Sequence, residues 1–292
     1  MIVLPPMTVD STTLLSSSIP EPDASEASLW VSGNTYALND KVYLTTTHKI
    51  YQCIIAGVST TIPSTAIYDT VPMWTEIGST NRYAMFDLYR NSRSTTTTGQ
   101  ILVVVKPSYR IDTIAILDLL NVTSISVVVQ QNTTTIYSTT IATPSSTSLC
   151  TSIPPFYNTT ATVTINGSTA STIGVGAVIF GVSEDIGFLQ NKVKLDTINM
   201  STVSRDIYGN ANLVPRRNIP RISCTTLIAS SATTRLTKLR SDLNAVPCLW
   251  VGLEEVADTY YEPTVVLGFY RAFSISLDNP IAATVTLELE EI

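Results

Sequence analysis

Between residues 82 and 182, seven strand-length runs, most of them apolar and β-branched, follow one another at positions 84–88, 101–105, 111–117, 124–129, 135–141, 161–165 and 177–180. Turn-forming segments rich in Thr-Gly, Asn or Pro separate them. Runs of strand length at this spacing, with no helical period between them, are the pattern of an antiparallel β-sandwich or jelly roll. The absence of any strand–helix–strand alternation excludes a parallel doubly wound sheet. The wider composition agrees, since 44 of the 292 residues are Thr, and β-branched side chains suit a pleated, half-buried surface better than a helix.

Only 14% of the residues are charged, well below the ~25% of an ordinary domain, and mean hydropathy is +0.24. A chain so poor in charge suits a subunit that buries much of its surface against copies or neighbours. A net charge of -6 supplies no basic field for phosphate backbones or anionic lipid, so neither nucleic acid nor a membrane surface is an expected partner. The longest apolar runs are strand-length, short of the ~18 residues a spanning helix needs, and no membrane insertion is expected. The opening Met1-Ile-Val-Leu-Pro-Pro6 has neither a basic n-region nor a full apolar h-region, which predicts synthesis without a secretory signal in a reducing cytosol.

The four cysteines, Cys53, Cys150, Cys224 and Cys248, are widely spaced with no C-x-x-C pair. They read as buried free thiols rather than zinc ligands or a disulfide framework, and no cofactor is implied. The sequons at Asn121, Asn132, Asn158, Asn166 and Asn199 read as chance occurrences in a Thr-rich chain.

Four segments are expected. Residues 1–26, broken by Pro5, Pro6, Pro20 and Pro22, form an extended arm that is either disordered or laid across a neighbouring subunit. Residues 27–79 form a small three-stranded antiparallel module, 80–182 the β-sandwich, and 183–292 a C-terminal β-rich α+β region for assembly. In the last, Thr234 can open a short helix bearing Leu236, Leu239 and Leu243 before Pro247 stops it. Strands are expected around it at 219–229, 248–253, 265–276 and 283–290. The final strand turns Val285, Leu287 and Leu289 inward and Thr286, Glu288 and Glu290 outward.

Chemistry is sparse. The single histidine, His48, lies in a Thr-rich turn with no nucleophile elbow nearby, so a catalytic triad is not expected. Glu184-Asp185, Glu254-Glu255 and Asp258 are the acids available for glycoside hydrolysis. Adjacent acids on a strand point to opposite faces, so these read as solvated loop residues and no enzyme is expected. Gly174-Val-Gly176 lacks the helix a phosphate cradle needs and reads as a bulge or turn. In the small module Trp30, Tyr36, Tyr43, Tyr51 and Trp74 are either its core or a stacking platform for sugar rings. In the C-terminal region Arg205, Arg216, Arg217 and Arg221 suggest a solvated role or salt bridges to an acidic neighbouring subunit rather than contact with DNA.

The run Trp30-Val-Ser-Gly-Asn-Thr-Tyr36-Ala-Leu-Asn39-Asp40-Lys-Val42-Tyr43, with Lys49-Ile-Tyr51-Gln-Cys53, Pro63 and Pro72-Met-Trp74, resembles the chitin- and cellulose-binding modules of carbohydrate-binding families 5 and 12. That resemblance implies glycan contact through Trp30, Tyr36 and Trp74. Further along, Thr80-Asn-Arg-Tyr-Ala-Met-Phe-Asp87, Ile111-Asp-Thr-Ile-Ala-Ile116, Ile179-Phe-Gly181, Asp206-Ile-Tyr-Gly-Asn210, Val246-Pro-Cys-Leu-Trp250-Val-Gly and Val266-Leu-Gly-Phe-Tyr270 resemble, in order, a protein type of tailed-bacteriophage virions. The middle part looks like the discoidin-type jelly roll of such proteins. The resemblance implies a structural component of the phage tail, collar or tail tip, made in the host cytoplasm and resident in the virion. Its partners would be copies of itself, other tail or neck proteins and host surface glycan. The alternative is a glycan-binding adhesin without a scaffold role.

Overall fold

The computed structural model describes residues 1–22, 26–190, 193–253, 258–277 and 279–292. The chain is mainly β, with 49% of residues in strands and 8% helical, and divides into two compact units, Met1–Met7 with Gly181–Ile292, and Thr8–Phe180.

In the unit Thr8–Phe180 the larger sheet runs in the order Thr134–Ala142, Val122–Gln131, Thr159–Gly167, Gln100–Val105 and Leu14–Ser17, all antiparallel. Period-2 burial explains its stability. Ile101, Val103 and Val105, Ile125, Val127 and Val129, and Ala161, Val163 and Ile165 are fully buried, and the residues between them are half-exposed or exposed, so one face of the sheet supplies the core. The second sheet, Ser148–Cys150, Thr113–Leu117 and Ala177–Gly181, is buried at every position of its two longer strands, which is why those strands read as continuous apolar runs. Gly174 lies within the strand Ile173–Val175, paired with Ser94–Thr96, rather than in a bulge or turn. Asn121, Asn132 and Asn158 each adopt positive φ near 53–54°, a conformation that asparagine tolerates better than other side chains. Turn geometry thus accounts for three of the five sequon asparagines.

The small module holds an antiparallel sheet of Lys41–Leu44, Lys49–Cys53 and Trp74–Ser79, extended by a parallel pairing of Ser28–Leu29 with the first. One turn of helix, Pro63–Ala66, closes its core.

In the other unit the main sheet runs Glu184–Asp185, Ile2–Leu4, Cys248–Val251, Val265–Ser276, Ala282–Glu291, Asn218–Ala229 and Phe188–Leu189, with Lys194–Asn199 also pairing Asn218–Ala229. The helix Thr233–Asp242 packs Leu236 and Leu239 against the same core as Val3, Trp250, Val285 and Leu287. Val285, Leu287 and Leu289 point inward, and Thr286 and Glu288 outward. Glu290 departs from the alternation and is buried, because Arg221 and Arg271 close over it, each at 2.8 Å.

Two stretches of the N-terminal segment, among its described residues, pair within the chain's own sheets. Ile2–Leu4 is an interior strand of the sheet just described, with Val3 and Leu4 fully buried, and Leu14–Ser17 is the edge strand of the sandwich. Pro5 and Pro6 follow the first strand and Pro20 follows the second, so they interrupt neither ladder. All four cysteines are buried and free. Burial pushes the thiols of Cys150 and Cys224 up to about 11 and that of Cys248 to about 12, which makes them inert as nucleophiles at neutral pH. Among the described residues no helix is long and apolar enough to cross a membrane.

Candidate functional site

The module's aromatics converge on one serine. The indole N–H groups of Trp30 and Trp74 both donate to Ser59 Oγ at 3.0 Å, and the Ser59 hydroxyl donates to the Thr61 carbonyl. Tyr36 meets Trp74 edge-to-face at 5.0 Å between ring centroids, and its hydroxyl exchanges hydrogen bonds with the backbone of Val31. Trp74 is 1% exposed and Tyr36 7%, so neither offers a ring face to a ligand, and Trp30 is partly covered by the same cluster. Of the two roles open to these aromatics, Tyr36 and Trp74 take the core, while Trp30 stays partly exposed. A module of about 50 residues has little else to bury and spends its largest side chains internally. The exposed aromatics of this unit are others: Tyr68 within the module, and Tyr89, Tyr109, Phe156 and Tyr157 beyond it. The Arg110 guanidinium sits 4.7 Å over the Tyr157 ring. Lying in turns, these side chains leave no periodic signal in the sequence.

His48 is a fastening. Its turn places it at φ +56°, with the ring stacked on Tyr83 at 3.7 Å and Nδ1 2.9 Å from a Glu21 carboxylate oxygen. Glu21 also accepts the Thr80 hydroxyl at 2.8 Å. The segment after the sandwich's edge strand is thereby tied to the module and to the start of the following chain.

The acids named from sequence are structural where they are described. Glu184 pairs with Arg235, Asp185 accepts the Gly187 amide at 2.8 Å, and Asp258 accepts the Tyr260 amide. Glu254 and Glu255 lie outside the described residues. The fold brings another two acids, Glu76 and Asp87, to one cleft of about 310 Å³ shared with Tyr89, Asn91 and Ser92. Glu76 is held by Lys49 at 2.6 Å. Burial pushes the Asp87 carboxyl above the ordinary carboxylate value, against the opposing hydrogen bonds of Ser92 and the Tyr89 amide. Lys49 and Glu76 are 27 residues apart in the chain, and no local motif announces the pairing.

The arginine segment resolves into two kinds. Arg217 pairs with Glu291, and Arg221 with Glu290, within this chain. Arg205 and Arg216 instead lie on a ribbon that leaves the sheet. Lys194–Asn199 and Asn218–Ala229 pair as far as Asn199 opposite Asn218. After a joint where the Arg216 amide donates to Ser201 Oγ, the ribbon continues as Thr202–Arg205 paired with Ala211–Val214. Every residue of both outer strands is exposed. Val203 stands opposite Leu213 and Arg205 opposite Ala211, which puts all four on one face. The tip is a built turn. Asp206 accepts the amides of Tyr208 and Asn210 and the Asn210 side-chain amide, while Gly209 takes φ +85°, the left-handed position a glycine fills without strain. The Asn210 side chain first, with its backbone amide, holds the Asp206 carboxyl below the ordinary range. This turn presents Ile207 at 92% exposure and Tyr208 at 84%.

At the ribbon's base, burial pushes the Glu290 carboxyl up, but Arg271 and Arg221 outweigh it and leave the group below its ordinary value. A lowered folded-state value means the stabilisation is complete above the unfolded value of about 4.5 and drains away as pH falls through the folded one. We expect Glu290→Gln to cost about 1–3 kcal/mol at pH 7, with the gap to wild type shrinking in urea titrations as pH falls below about 4.5. A gap independent of pH would show that the two arginines act by packing alone.

No family model and no curated protein matches this sequence.

Proposed function

We propose that this chain is a structural subunit of a tailed-bacteriophage virion, in the tail, collar or tail tip, acting through protein–protein contacts. The observation that carries the assembly role is the ribbon beyond Asn199 and Asn218, whose two strands and apolar tip are solvent-exposed throughout. A lone two-stranded ribbon is marginal in water, and exposed apolar side chains held on an ordered element mark a contact surface. The scarcity of charge and the abundance of Thr support the same role. The virion setting rests on the ordered series of segments resembling phage structural proteins, from Thr80 to Tyr270.

Glycan contact is the second reading. With Tyr36 and Trp74 in the core, it draws on the exposed Phe156 and Tyr157, the latter stacked under Arg110, a rigid aromatic face of the kind sugar rings occupy. The deciding experiment for the virion role is immunogold labelling of particles produced from the genome that encodes the chain. Gold confined to the tail, collar or tip is the expected result. Intact particles without label, and antigen only in the soluble lysate, would overturn it.

A further inference from the structure

We propose that the tip of the ribbon, Ile207 and Tyr208, seats in an apolar cleft of a second copy of this chain, so that copies associate head to tail. This rests on the assembly reading and adds to it the surface, the occupant and the symmetry.

The tip is built to be inserted. Its backbone is set by the Asp206 carboxylate and by Gly209, so little ordering remains to be done on binding. Two large apolar side chains occupy the turn positions where polar residues are usual. Behind them, Val203 and Leu213 continue the apolar face and Arg205 brings a positive charge to it.

A cleft that fits lies in the same unit. It measures about 490 Å³ and is lined by Leu189, Val193, Leu195, Tyr260 and Pro263, with Asp258 among its walls. That volume is within the ~300–1,000 Å³ in which proteins hold a drug-sized group, a class that includes an Ile-Tyr tip. Asp258 offers the carboxylate that Arg205 would meet as the tip enters.

Distance makes the occupant another copy. Leu195 belongs to the root of the same ribbon, pairing with Ile222. From Leu195 to Ile207 the strand runs about a dozen residues, roughly 40 Å at ~3.3 Å per residue. A paired ribbon cannot return its tip to its own root, so a chain's cleft is left for the tip of another. Charge points the same way. With Lys194, Arg217 and Arg221 paired at the root within their own chain, the outer ribbon, residues 200–216, carries Arg205 and Arg216 against Asp206, a net +1, which leaves -7 on the rest of a chain whose total is -6. Basic ribbon and acidic body are complementary between copies. Because tip and cleft are different surfaces, the contact is heterologous and closes into a ring or extends as a filament.

The test uses three full-length proteins, each checked by circular dichroism: wild type, Ile207→Ser with Tyr208→Ser (tip), and Leu195→Asp with Tyr260→Ala (cleft). The residues changed are all largely exposed, so folding is not at risk. Light scattering across a concentration series should find wild type as a multimer and each variant alone at the single-chain mass of 31.6 kDa. Mixed one to one, the variants should form a heterodimer, since one retains a working cleft and the other a working tip. A tip variant that assembles like wild type would overturn the proposal while leaving self-assembly intact. Wild type that stays at one chain throughout would overturn a second copy as the occupant, leaving the virion reading to the immunogold result.

Discussion

Deletion of residues 1–7 should unfold the C-terminal unit while the sandwich stays folded. Ile2–Leu4 lies between Glu184–Asp185 and Cys248–Val251, so its loss opens ladders on both sides. Val3 and Leu4 are fully buried, and Met1, Ile2 and Met7 nearly so. Truncating one buried aliphatic side chain to alanine costs about 2–5 kcal/mol, and several are removed together. The sum matches or exceeds the roughly 5–15 kcal/mol that holds a whole domain. Hydrogen exchange read by mass spectrometry makes the test local. Protection should vanish in Cys248–Val251, Val265–Ser276 and Ala282–Glu291, and persist in Gln100–Val105, Val122–Gln131 and Thr159–Gly167. Persistent protection in the first group would mean that these seven residues are an accessory to a sheet that folds without them.

Trp74→Ala should cost about 3–5 kcal/mol and unfold the small module. The indole is 1% exposed, packs against Tyr36, and supplies one of the two N–H groups that Ser59 accepts. The module's cluster otherwise consists of Tyr36, Val42, Leu44, Tyr51, Cys53 and Ala66 with a few partly covered neighbours, too little to absorb a cavity of that size. Exchange protection in Lys41–Leu44, Lys49–Cys53 and Trp74–Ser79 should be lost. Any glycan retention attributable to the module should vanish in parallel with the fold. A variant that keeps full protection and loses only retention would restore Trp74 to a ligand-stacking role.

The two expectations separate what local patterning can reveal from what it cannot. Burial at every second residue is written into the chain by the pleat, which is why the sequence alone marks Ile101, Val103 and Val105, or Val285, Leu287 and Leu289, as a core face. The helix at Thr233–Asp242 was legible for a similar reason, through Leu236, Leu239 and Leu243 on one face and Pro247 beyond them. Tyr36 and Trp74 show the limit. An aromatic residue at a strand position suits a core and a sugar platform equally, and contacts with other segments decided between them: Ser59 accepts the Trp74 indole N–H, and Tyr36 packs edge-to-face on Trp74. Glu290 makes the same point for charge. Its place in the alternation marks it as solvent-facing, and it is buried because Arg221 and Arg271, far off in the chain, cover it.

The sequence by itself determined the β class, the antiparallel sandwich, the short helix and the buried free thiols, because each follows from side-chain period or spacing within a few tens of residues. Tertiary structure alone decided that Ile2–Leu4 completes the C-terminal sheet, that Glu21 fastens His48, and that Ile207 and Tyr208 stand at the end of an exposed ribbon. Those outcomes depend on which strand edge, carboxylate or solvent lies opposite a residue, and the partners are set by contacts made across tens to hundreds of residues of intervening chain.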